Sequence, residues 1–563
     1  MTRKLSALLT LLLTFSFLSG VSGAQAAVPR IDTRYVEGAD KQAFVFNPLV
    51  VNKVELNMTE ADLQALRDTP TEYHAATLKM TTPKGVSSVY RVGVRLKGGW
   101  GSYVNLDNKA GFKIKMNFSV KGQKFYGIKK FTLNNMIQDA SMLHEATSFR
   151  LFRAMGVPAP RVGYANVLLN GVNYGLHSNI ETYDDELFDR WKSGETAHLY
   201  EGGYGTEVGP DMEVDDGNAA DRSDVTEVRD INNNLSGADW FNAVRTKVDI
   251  QQMIMNWAVE HYIGHWDGYT RGWPNNYYIH RTKGGLFTMH PWGTDQTFVF
   301  WNKPELIDEG ATMMTRCIQY QPCNELYRAA LTKIEQKVPS LDLPGMVDRI
   351  WAKILPHNIA DPRKPYSNES SVAAKDETKS FMNVRFSELV ALNAGRKLGS
   401  IGFKYSLSAP AVDKVIRPTV TKKSDGTVSF SRLTGDGVCN VDAGTGAITL
   451  LRKGVCTVGI HASQTAVYQA AMAMVTLKVP ALPTRIAVSF QNTQIKNQSQ
   501  TLSIVADSVQ TASAKLVSGS CKITGLSVKA LASSGTCKVR VSVAGDGIYA
   551  ASSKLISIRL QRP

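Results

Sequence analysis

The sequence of 563 residues has no long apolar run after its N-terminal region. The most apolar later stretch, from Met253 to Ile263, is interrupted by Asn256, Glu260 and His261. A helix that spans a bilayer needs about 20 consecutive apolar residues. We therefore predict no transmembrane segment in the mature chain.

The N-terminus is the exception, because residues 1–26 have the layout of a secretory signal peptide. Arg3 and Lys4 supply a positive start, residues 8–18 are mostly apolar, and Ala24 and Ala26 form a small-x-small cleavage site. We predict cleavage near Ala26 and a protein that is secreted or held at the cell surface. An uncleaved membrane anchor is the alternative.

Glutamate is absent after residue 403, although the whole chain has a formal net charge of +14. From Lys404 onward, 19 lysines and arginines accompany six aspartates, whereas the preceding residues carry 45 basic and 44 acidic side chains. The basic excess therefore belongs to the C-terminal part. This distribution argues against a nucleic-acid-binding protein and favours a cationic module suited to an anionic cell-wall polymer or glycan.

Cysteine is absent from the first 316 residues, and the six cysteines form three close pairs: Cys317 with Cys323, Cys439 with Cys456, and Cys521 with Cys537. An even number of cysteines in an exported protein predicts disulfides. Zinc binding is disfavoured, because no pair has CxxC spacing and no histidine pair accompanies the cysteines.

Residues 261–300 contain the strongest functional signal. They predict the end of a helix, a loop with Asp267, a strand starting at Asn276, a Gly-Gly turn, a second strand and a loop with Asp295. Because a hairpin brings these loops together, we expect the two acids and the asparagine to meet. Phosphoryl transfer requires such a set: a carboxylate orients the hydroxyl nucleophile, and oxygen ligands hold Mg²⁺ against phosphates.

Three segments of this stretch occur in a recognisable order: Trp266-Asp267-Gly268-Tyr269, Asn275-Asn276-Tyr277-Tyr278 and Pro291-Trp292-x-x-Asp295-x-Thr297-Phe298. They resemble the core signature of the CotH family, the spore-coat-protein-H-like atypical kinases. The resemblance implies a protein-kinase-like fold in which Asp267 is the catalytic base and Asn276 and Asp295 bind Mg²⁺ or Mn²⁺ beside ATP. The family commonly has an acid where this chain has Gly293, and an impaired enzyme follows if that acid is essential.

A glycine-rich connection, Lys97 to Ser102, lies between two predicted strands, residues 89–96 and 112–118. It is similar to the CotH loop that precedes a lysine-rich strand. The similarity implies that Gly98, Gly99 and Ser102 cover the phosphates of ATP and that Lys113 contacts them. Lys109 and Lys115 are the weaker candidates, and we expect both to be solvated.

A helix from about Ser141 to Met155 is predicted next, with Gly156 and Pro158 ending it. Glu145 lies along its buried side. We predict that Glu145 pairs with Lys113, as a helix glutamate does in kinases. The alternative is an exposed glutamate without a specific contact.

Residues 162–180 predict a β-hairpin, because Asn170-Gly171 occupies the two-residue turn. This hairpin also resembles the CotH pattern and leads to Glu181. We expect a hinge there with the nucleotide cleft behind it, which makes Glu181 a predicted nucleotide-binding residue.

His261 and His265 lie four residues apart on a predicted helix and suggest an alternative, a metal-dependent hydrolase that uses them with Asp267 and Asp295. The glutamate of an HExxH motif is missing. The acidic residues 207–230 do not fit the register of a calcium-binding EF-hand, so we predict a solvated insertion loop there.

The C-terminal part is a tandem repeat, since Cys456 and Tyr468 are twelve residues apart and so are Cys537 and Tyr549. Short alternating segments separated by glycines predict two Ig-like β-sandwiches. A spacer role and a role in wall or glycan binding both fit this pattern.

The predicted fold class is α+β: a two-lobed, protein-kinase-like domain followed by two all-β Ig-like sandwiches. The predicted divisions are a signal peptide (1–26), a leader arm (27–47), a kinase-like domain (48–402) and two Ig-like repeats (403–481 and 482–563). The β-rich small lobe covers about 48–181, and the helical large lobe covers about 182–402. The resemblance implies a kinase that acts on Ser or Thr hydroxyls of surface proteins; the alternatives are a catalytically impaired adhesion protein and the hydrolase.

Overall fold

The computed structural model describes residues 35–563, except residues 100, 192–193, 395, 398, 407–411, 413, 436 and 469. The predicted signal peptide and residues 27–34 of the predicted leader arm lie outside the described residues. The rest of the leader arm packs on the domain that follows. Val45 and Phe46 are buried, and Arg161 binds Asp40 with Nη1 2.6 Å from Oδ2.

The first third of the chain forms one large sheet with two helices. Its elements are β1 (Val51–Asn57), α1 (Glu60–Asp68), β2 (His74–Thr82), β3 (Gly85–Val86), β4 (Tyr90–Lys97), β5 (Gly111–Lys115), β6 (Lys130–Asn134), α2 (His144–Ala154), β7 (Val162–Leu169) and β8 (Val172–Glu181). Among the described strands the order is β1-β7-β8-β6-β5-β4-β2-β3, and β1 also pairs with β2. The sheet therefore closes on itself as a barrel.

Side-chain alternation places β5 in this barrel. Phe112 and Ile114 are fully buried in the core, whereas Lys113 and Lys115 are only partly buried on the opposite face. This is the pattern expected of a half-buried strand, and it confirms the strand predicted here.

The Asn170-Gly171 turn is also confirmed: both residues have positive φ, +50° and +80°, as a two-residue hairpin turn requires.

Helix α2 begins at His144, three residues later than predicted, because Asp139 organises a turn before it. The Asp139 carboxylate accepts hydrogen bonds from the N–H groups of Ser141 (2.9 Å) and His144 (2.8 Å). Such bonds satisfy N–H groups that have no partner at the start of a helix. The helix ends before Gly156, whose φ is +83°.

The middle of the chain forms a smaller sheet beside a buried helix. Its elements are α3 (Asp185–Asp189), β9 (Thr196–Gly202), β10 (Glu213–Gly217), α4 (Ser223–Asn234), α5 (Gly237–Val244), α6 (Ile250–Ile263), β11 (Tyr277–Thr282), β12 (Thr288–Pro291) and a single 3-10 turn (Thr294–Gln296). The described strands follow the order β10-β9-β11-β12. Nearly every side chain of α6 is buried, including those of the polar residues Gln252, Asn256, Glu260 and His261.

The acidic residues 207–230 are not the loop that the sequence predicted, because they contain β10 and the start of α4. Val225 and Val228 are fully buried on α4. Asp224 accepts a hydrogen bond from Tyr200 (2.9 Å) and pairs with His198 (2.9 Å). Apolar residues at helical spacing thus outweigh the local excess of acids.

Helices follow, as predicted: α7 (Thr312–Gln319), α8 (Gln321–Lys337), α9 (Leu343–Ile359) and α10 (Asn368–Asn393). The predicted disulfide between Cys317 and Cys323 links α7 to α8. After α9, Asp361 forms a buried ion pair with Lys109 of the barrel, with Nζ 2.5 Å from Oδ2 and both side chains at most 2% exposed. Asp361 Oδ2 also accepts from the N–H of Leu176 (2.9 Å). This pair joins the barrel to the helical region.

The C-terminal part is all-β, as predicted. The first repeat contains β13 (Ser400–Lys404), β14 (Val415–Ile416), β15 (Thr419–Lys423), β16 (Val428–Thr434), β17 (Cys439–Val441), β18 (Ile448–Leu450), β19 (Gly454–Ala462) and β20 (Ala471–Val479). The second contains β21 (Ile486–Ser489), β22 (Thr493–Ile495), β23 (Ser499–Thr501), β24 (Ser503–Ala506), β25 (Ala512–Ser518), β26 (Cys521–Thr524), β27 (Ser527–Ala530), β28 (Thr536–Val543) and β29 (Ser552–Gln561).

The two repeats share their cross-links. The Cys439–Cys456 disulfide joins β17 to β19, and the Cys521–Cys537 disulfide joins β26 to β28, so each connects two different sheets. Tyr468 forms a parallel bridge with Lys397, and Tyr549 forms the same kind of bridge with Leu482. The tandem repeat seen in the sequence is therefore a structural repeat.

The first repeat packs against the helical region. The Gln464 N–H donates to Glu325 Oε2 of α8 (3.0 Å), and Met472 of β20 is buried in the same core as α6 and α8. None of the helices in the described ranges is long and apolar enough to cross a membrane.

We predict that replacing Lys109 with Met lowers the free energy of unfolding by about 3–5 kcal/mol, because Asp361 would remain buried without a counter-charge. Urea denaturation at neutral pH measures this change. The control is Lys53→Met, since Lys53 pairs with Glu55 (3.2 Å) while 46% of its side chain is exposed, and it should change stability by less than about 1 kcal/mol. Equal losses in both variants would contradict a structural role for the buried pair.

Candidate active site

Asp267 lies in the loop after α6 and is held by two asparagines. The helix ends at Gly264, whose φ of +70° is the left-handed conformation that commonly terminates helices. The Asp267 carboxylate accepts from Asn275 Nδ2 at Oδ1 (3.1 Å) and from Asn276 Nδ2 at Oδ2 (2.8 Å). These bonds fix the direction of the carboxylate.

Glu260 of α6 supports the same loop from inside the protein. Its carboxylate accepts from Asn256 Nδ2 (2.7 Å) and from the backbone N–H of Thr270 (3.0 Å). Burial raises the pKa of Glu260 to about 7, although both hydrogen bonds act in the opposite direction. No role was predicted for Glu260, and the signal that could have indicated one is an acid inside a mostly apolar stretch of helix.

Asp295 lies in the 3-10 turn, which is hydrogen bonded to α2. His144 Nδ1 donates to the carbonyl oxygen of Asp295 (2.7 Å), and the hydroxyls of Ser148 and Thr294 lie 2.6 Å apart. The turn that carries Asp295 is therefore held against α2.

The three acids Asp267, Asp295 and Glu145 are close enough for their charges to interact. Burial and, secondly, the charge of Asp295 raise the pKa of Glu145 to about 7. The pKa of Asp267 is raised mainly by burial, with Asp295 adding to the effect while the bond from Asn275 opposes it. The structure thus brings the two aspartates predicted from sequence into one anionic site.

Gly293 and Asn276 meet at a position where the family commonly has an acid. Gly293 has a φ of +47°, and a Cβ atom there would lie 2.4 Å from Asn276 Oδ1. Asn276 Nδ2 also donates to the backbone carbonyl of Asp267 (2.9 Å). The asparagine amide therefore approaches the backbone so closely that the observed geometry has no room for a side chain at 293.

Gly98, Gly99 and Ser102 form a tight turn at the end of β4. A Cβ atom on Gly98, whose φ is +125°, would lie 2.6 Å from the backbone of Tyr103. The Gly99 N–H donates to Ser102 Oγ (3.2 Å), and the Tyr103 N–H donates to the Gly99 carbonyl (2.9 Å). Only a residue without a side chain fits this close approach at position 98.

Lys113 lines an open cleft of about 440 Å³ between the barrel and the smaller sheet. Other residues of its walls are Arg95, Thr132, Thr182, Asp215, Tyr278 and Trp292. Burial lowers the pKa of Lys113, while Glu201 raises it. The cleft therefore contains a partly desolvated cation together with aromatic and polar side chains.

The contacts of Glu145 differ from the predicted pairing with Lys113. Glu145 Oε2 accepts from Asn134 Nδ2 (2.8 Å) and Ser178 Oγ (3.1 Å), and Lys97 Nζ donates to Asn134 Oδ1 (3.1 Å). The reason is the strand register: Lys113 pairs with Thr132, two residues before Asn134 on β6. Glu145 is thus connected through Asn134 to Lys97, a residue for which no role was predicted from the sequence.

Glu181 is also used differently from the prediction. Its carboxylate binds Arg161 Nη2 (2.6 Å) and Arg190. Burial opposes ionisation, but these two arginines hold the pKa of Glu181 at about 2. The next residue, Thr182, lines the cleft. The Glu181 carboxylate is already engaged by two arginines of the fold.

His261 and His265 are hydrogen bonded within the fold. His261 Nδ1 lies 2.7 Å from the Tyr327 hydroxyl, and His265 Nε2 donates to the carbonyl of Trp292 (3.1 Å). Burial lowers their pKa values to about 3 and 4, respectively. In the part of the chain that the structure describes, no three His, Cys, Asp or Glu side chains are grouped as a metal site. These contacts favour a packing role for both histidines.

The donors beside Asp267 suit a small divalent cation. The carboxylate of Asp295 and the amide oxygen of Asn276 are oxygen ligands, which Mg²⁺ and Mn²⁺ prefer. The charge of Asp295 contributes to the raised pKa of Asp267, and a bound cation would offset that contribution. The residues therefore fit the metal that a phosphoryl-transfer site requires.

The CotH kinase protein family matches residues 94–386. This range is more than half of the chain and includes the glycine turn, Lys113, Glu145 and both aspartates of the candidate site. The chain belongs to the CotH family, as the sequence resemblance predicted.

Individual relatives are distant. The inner spore coat protein H of Bacillus subtilis is 21% identical over 266 residues, 43% of this chain and 72% of the relative. Among solved structures, the Helicobacter pylori proinflammatory kinase CtkA is 9% identical and covers 53% of this chain and 95% of that chain, with a TM-score of 0.27. Mouse cadherin-23 EC22-24 is 15% identical and covers 29% of this chain and 65% of that chain, with a TM-score of 0.15. Scores this low support no structural argument.

We predict that Gly293→Ala lowers the free energy of unfolding by about 1–3 kcal/mol, because the new side chain is strained at positive φ and overlaps Asn276. The matched control is Gly171→Ala, which also has positive φ but has no atom within 4 Å of the added Cβ. Urea denaturation should show the larger loss for position 293. Asn276→Ala should recover part of it in the double variant; equal losses at both glycines would contradict the overlap.

We predict that Glu260→Gln removes part of the pH dependence of stability. The pKa of Glu260 rises from 4.5 when unfolded to about 7 when folded. Its protonated form thus contributes stability that is fully present below pH 4.5 and is lost as pH rises through 7. Relative to the variant, the wild type should lose about 3 kcal/mol between these values. Denaturation curves at pH 4.5, 6 and 7.5 test this, and parallel profiles would contradict it.

Proposed function

We propose that this protein is an exported atypical kinase that transfers the γ-phosphate of ATP to Ser or Thr hydroxyls of surface proteins. The observation that carries the proposal is that Asp267 and Asp295, from two separate loops, are close enough for their charges to interact. Lys113 lines a separate cleft, whose wall includes Trp292 of the segment that leads to Asp295. Membership of the CotH family supports the phosphotransferase class.

In the proposed reaction, Asp267 accepts a hydrogen bond from the substrate hydroxyl and takes its proton as the hydroxyl oxygen attacks the γ-phosphorus. Asn275 and Asn276 hold the carboxylate in one orientation through bonds of 3.1 and 2.8 Å. The raised pKa of Asp267 makes it a better proton acceptor than an exposed aspartate. Because the Asp267 carboxylate is already oriented, less entropy is lost when it and the substrate hydroxyl come together for the reaction.

The remaining residues position ATP. In this proposal Lys113 and the turn of Gly98, Gly99 and Ser102 contact phosphates, and Asn276 and Asp295 hold Mg²⁺ or Mn²⁺. A bound divalent cation would neutralise charge on the transferring phosphoryl group. Thr182, Tyr278 and Trp292 lie along the cleft, and their polar and aromatic surfaces suit the nucleoside.

We assign the barrel, about residues 48–181, to the small lobe and residues 182–402 to the large lobe. Residues 403–481 and 482–563 are assigned to two Ig-like sandwiches, because each disulfide joins two sheets.

The signal peptide proposed for residues 1–26 and the disulfides suit an extracellular or cell-surface location. The basic excess of the repeats supports contact with an anionic polymer, and the packing of Met472 on the helical region supports a spacer fixed to the domain.

The second candidate function is a catalytically impaired surface protein that uses the same fold for binding. It is favoured by Gly293, where the family commonly has an acid and where Asn276 Oδ1 leaves no room for one. This candidate predicts nucleotide binding without phosphate transfer, or neither.

We predict that ATP with Mg²⁺ or Mn²⁺ raises the melting temperature of the wild type and supports transfer of labelled phosphate to a general protein acceptor. Asp267→Asn should lower kcat by about 10²–10⁴-fold, because it removes the general base, and should retain the thermal shift. Asp295→Asn should lose the metal-dependent part of that shift.

The control is Asp308→Asn, because Asp308 pairs with Arg271 (3.2 Å) at the surface. Binding without transfer in the wild type would favour the impaired protein. Metal binding without nucleotide, abolished by His261→Ala, would favour the hydrolase. Absence of any nucleotide effect would contradict the kinase.

A further inference from the structure

Lys97 occupies a position in the candidate site to which the sequence analysis assigned no function. It is the last residue of β4 and directly precedes the turn of Gly98, Gly99 and Ser102. Its ammonium group donates to Asn134 Oδ1 (3.1 Å). A lysine ammonium has three N–H donors, so this contact orients the group and leaves donors for a ligand at the glycine turn.

Asn134 connects Lys97 to the acidic side of the site. Its side chain is fully buried, and its Nδ2 donates to Glu145 Oε2 (2.8 Å). Glu145 lies next to His144 on α2, and His144 donates to the carbonyl of Asp295 (2.7 Å). The Asn134 amide group therefore contacts both Lys97 and Glu145. Glu145 belongs to α2, the helix that holds the Asp295 loop.

Lys113 has a different set of neighbours. The acids that act on it are Glu201 and Asp215 of the smaller sheet. Its partner on β4 is Arg95, two residues before Lys97, and one such step along a strand is about 6.8 Å. Lys113 is thus farther along the sheet from the glycine turn, whereas Lys97 is adjacent to it.

We propose that Lys97 is the lysine that binds the phosphates of ATP and that Asn134 is a positioning residue that couples Lys97 to Glu145 and α2. This inference rests on the proposed kinase function and changes its assignment of the phosphate-contacting lysine. Lys113 then lines the cleft beside the nucleoside or neutralises Glu201 and Asp215. Helix α2 contacts the Asp295 loop through His144 and is connected to Lys97 through Glu145 and Asn134. The helix thus sets the distance between Asp295 and Lys97, at the two ends of the phosphate site.

The test compares Lys97→Met, Lys97→Arg, Lys113→Met and Asn134→Ala with the surface control Lys53→Met. Isothermal titration with ATP and Mg²⁺ gives Kd, and phosphate transfer gives kcat and KM. We expect Lys97→Met to weaken Kd or kcat/KM by on the order of 100-fold, as for loss of one donor to a charged transition state. Lys97→Arg should recover part of this loss, and Lys113→Met should cost less than Lys97→Met.

Asn134→Ala should reduce ATP binding or turnover in the wild type but add little in the Lys97→Met background, because two residues in one network are not additive. A purely structural role of Asn134 would instead add its full effect in both backgrounds. The proposal is overturned if Lys97→Met behaves like Lys53→Met, or if Lys113→Met causes the larger loss; in both cases the kinase function stands. A wild type that binds no nucleotide overturns both the kinase function and this assignment.

Discussion

The hydrogen bonds between α2 and the 3-10 turn at residues 294–296 are the contacts on which the candidate site depends. His144 and Asp295 are 151 residues apart in the chain, yet the His144 ring donates to the Asp295 carbonyl. The Ser148 and Thr294 hydroxyls form a second contact one turn further along the helix. These bonds bring a loop of the smaller sheet to α2, so that Asp295 lies close enough to Glu145 for their charges to interact.

Electrostatic repulsion follows from this arrangement. Glu145, Asp267 and Asp295 are held together, and burial together with Asp295 raises the pKa of both other acids. A fold that maintains such repulsion needs either protons or cations to balance it. Lys97, which acts on Glu145, supplies part of that balance. In the proposed function, a divalent cation held by Asn276 and Asp295 supplies the rest.

The sequence predicted the features that depend on local pattern. Strand β5, the Asn170-Gly171 turn, the three disulfides and the helices after residue 303 follow from alternation, turn chemistry or cysteine spacing, and the structure confirms them. The proximity of Asp267 to Asp295 was also predictable, because Asp267 precedes and Asp295 follows the same hairpin of β11 and β12.

Features that depend on register between distant strands were not predictable. Whether Lys97 or Lys113 lies beside Glu145 is decided by the pairing of β4, β5 and β6, and a shift of two residues exchanges them. The engagement of Glu181 by Arg161 and Arg190 and the overlap of Asn276 with position 293 are likewise set by tertiary contacts. Family membership indicates the region of the chain that carries the candidate site, and the fold determines which side chains reach it.

A crystal structure with Mg²⁺ and a non-hydrolysable ATP analogue tests the central claim most directly. The account predicts phosphates between the glycine turn at 98–102 and Asp295, whereas an analogue bound elsewhere, with no contact to either, would contradict it.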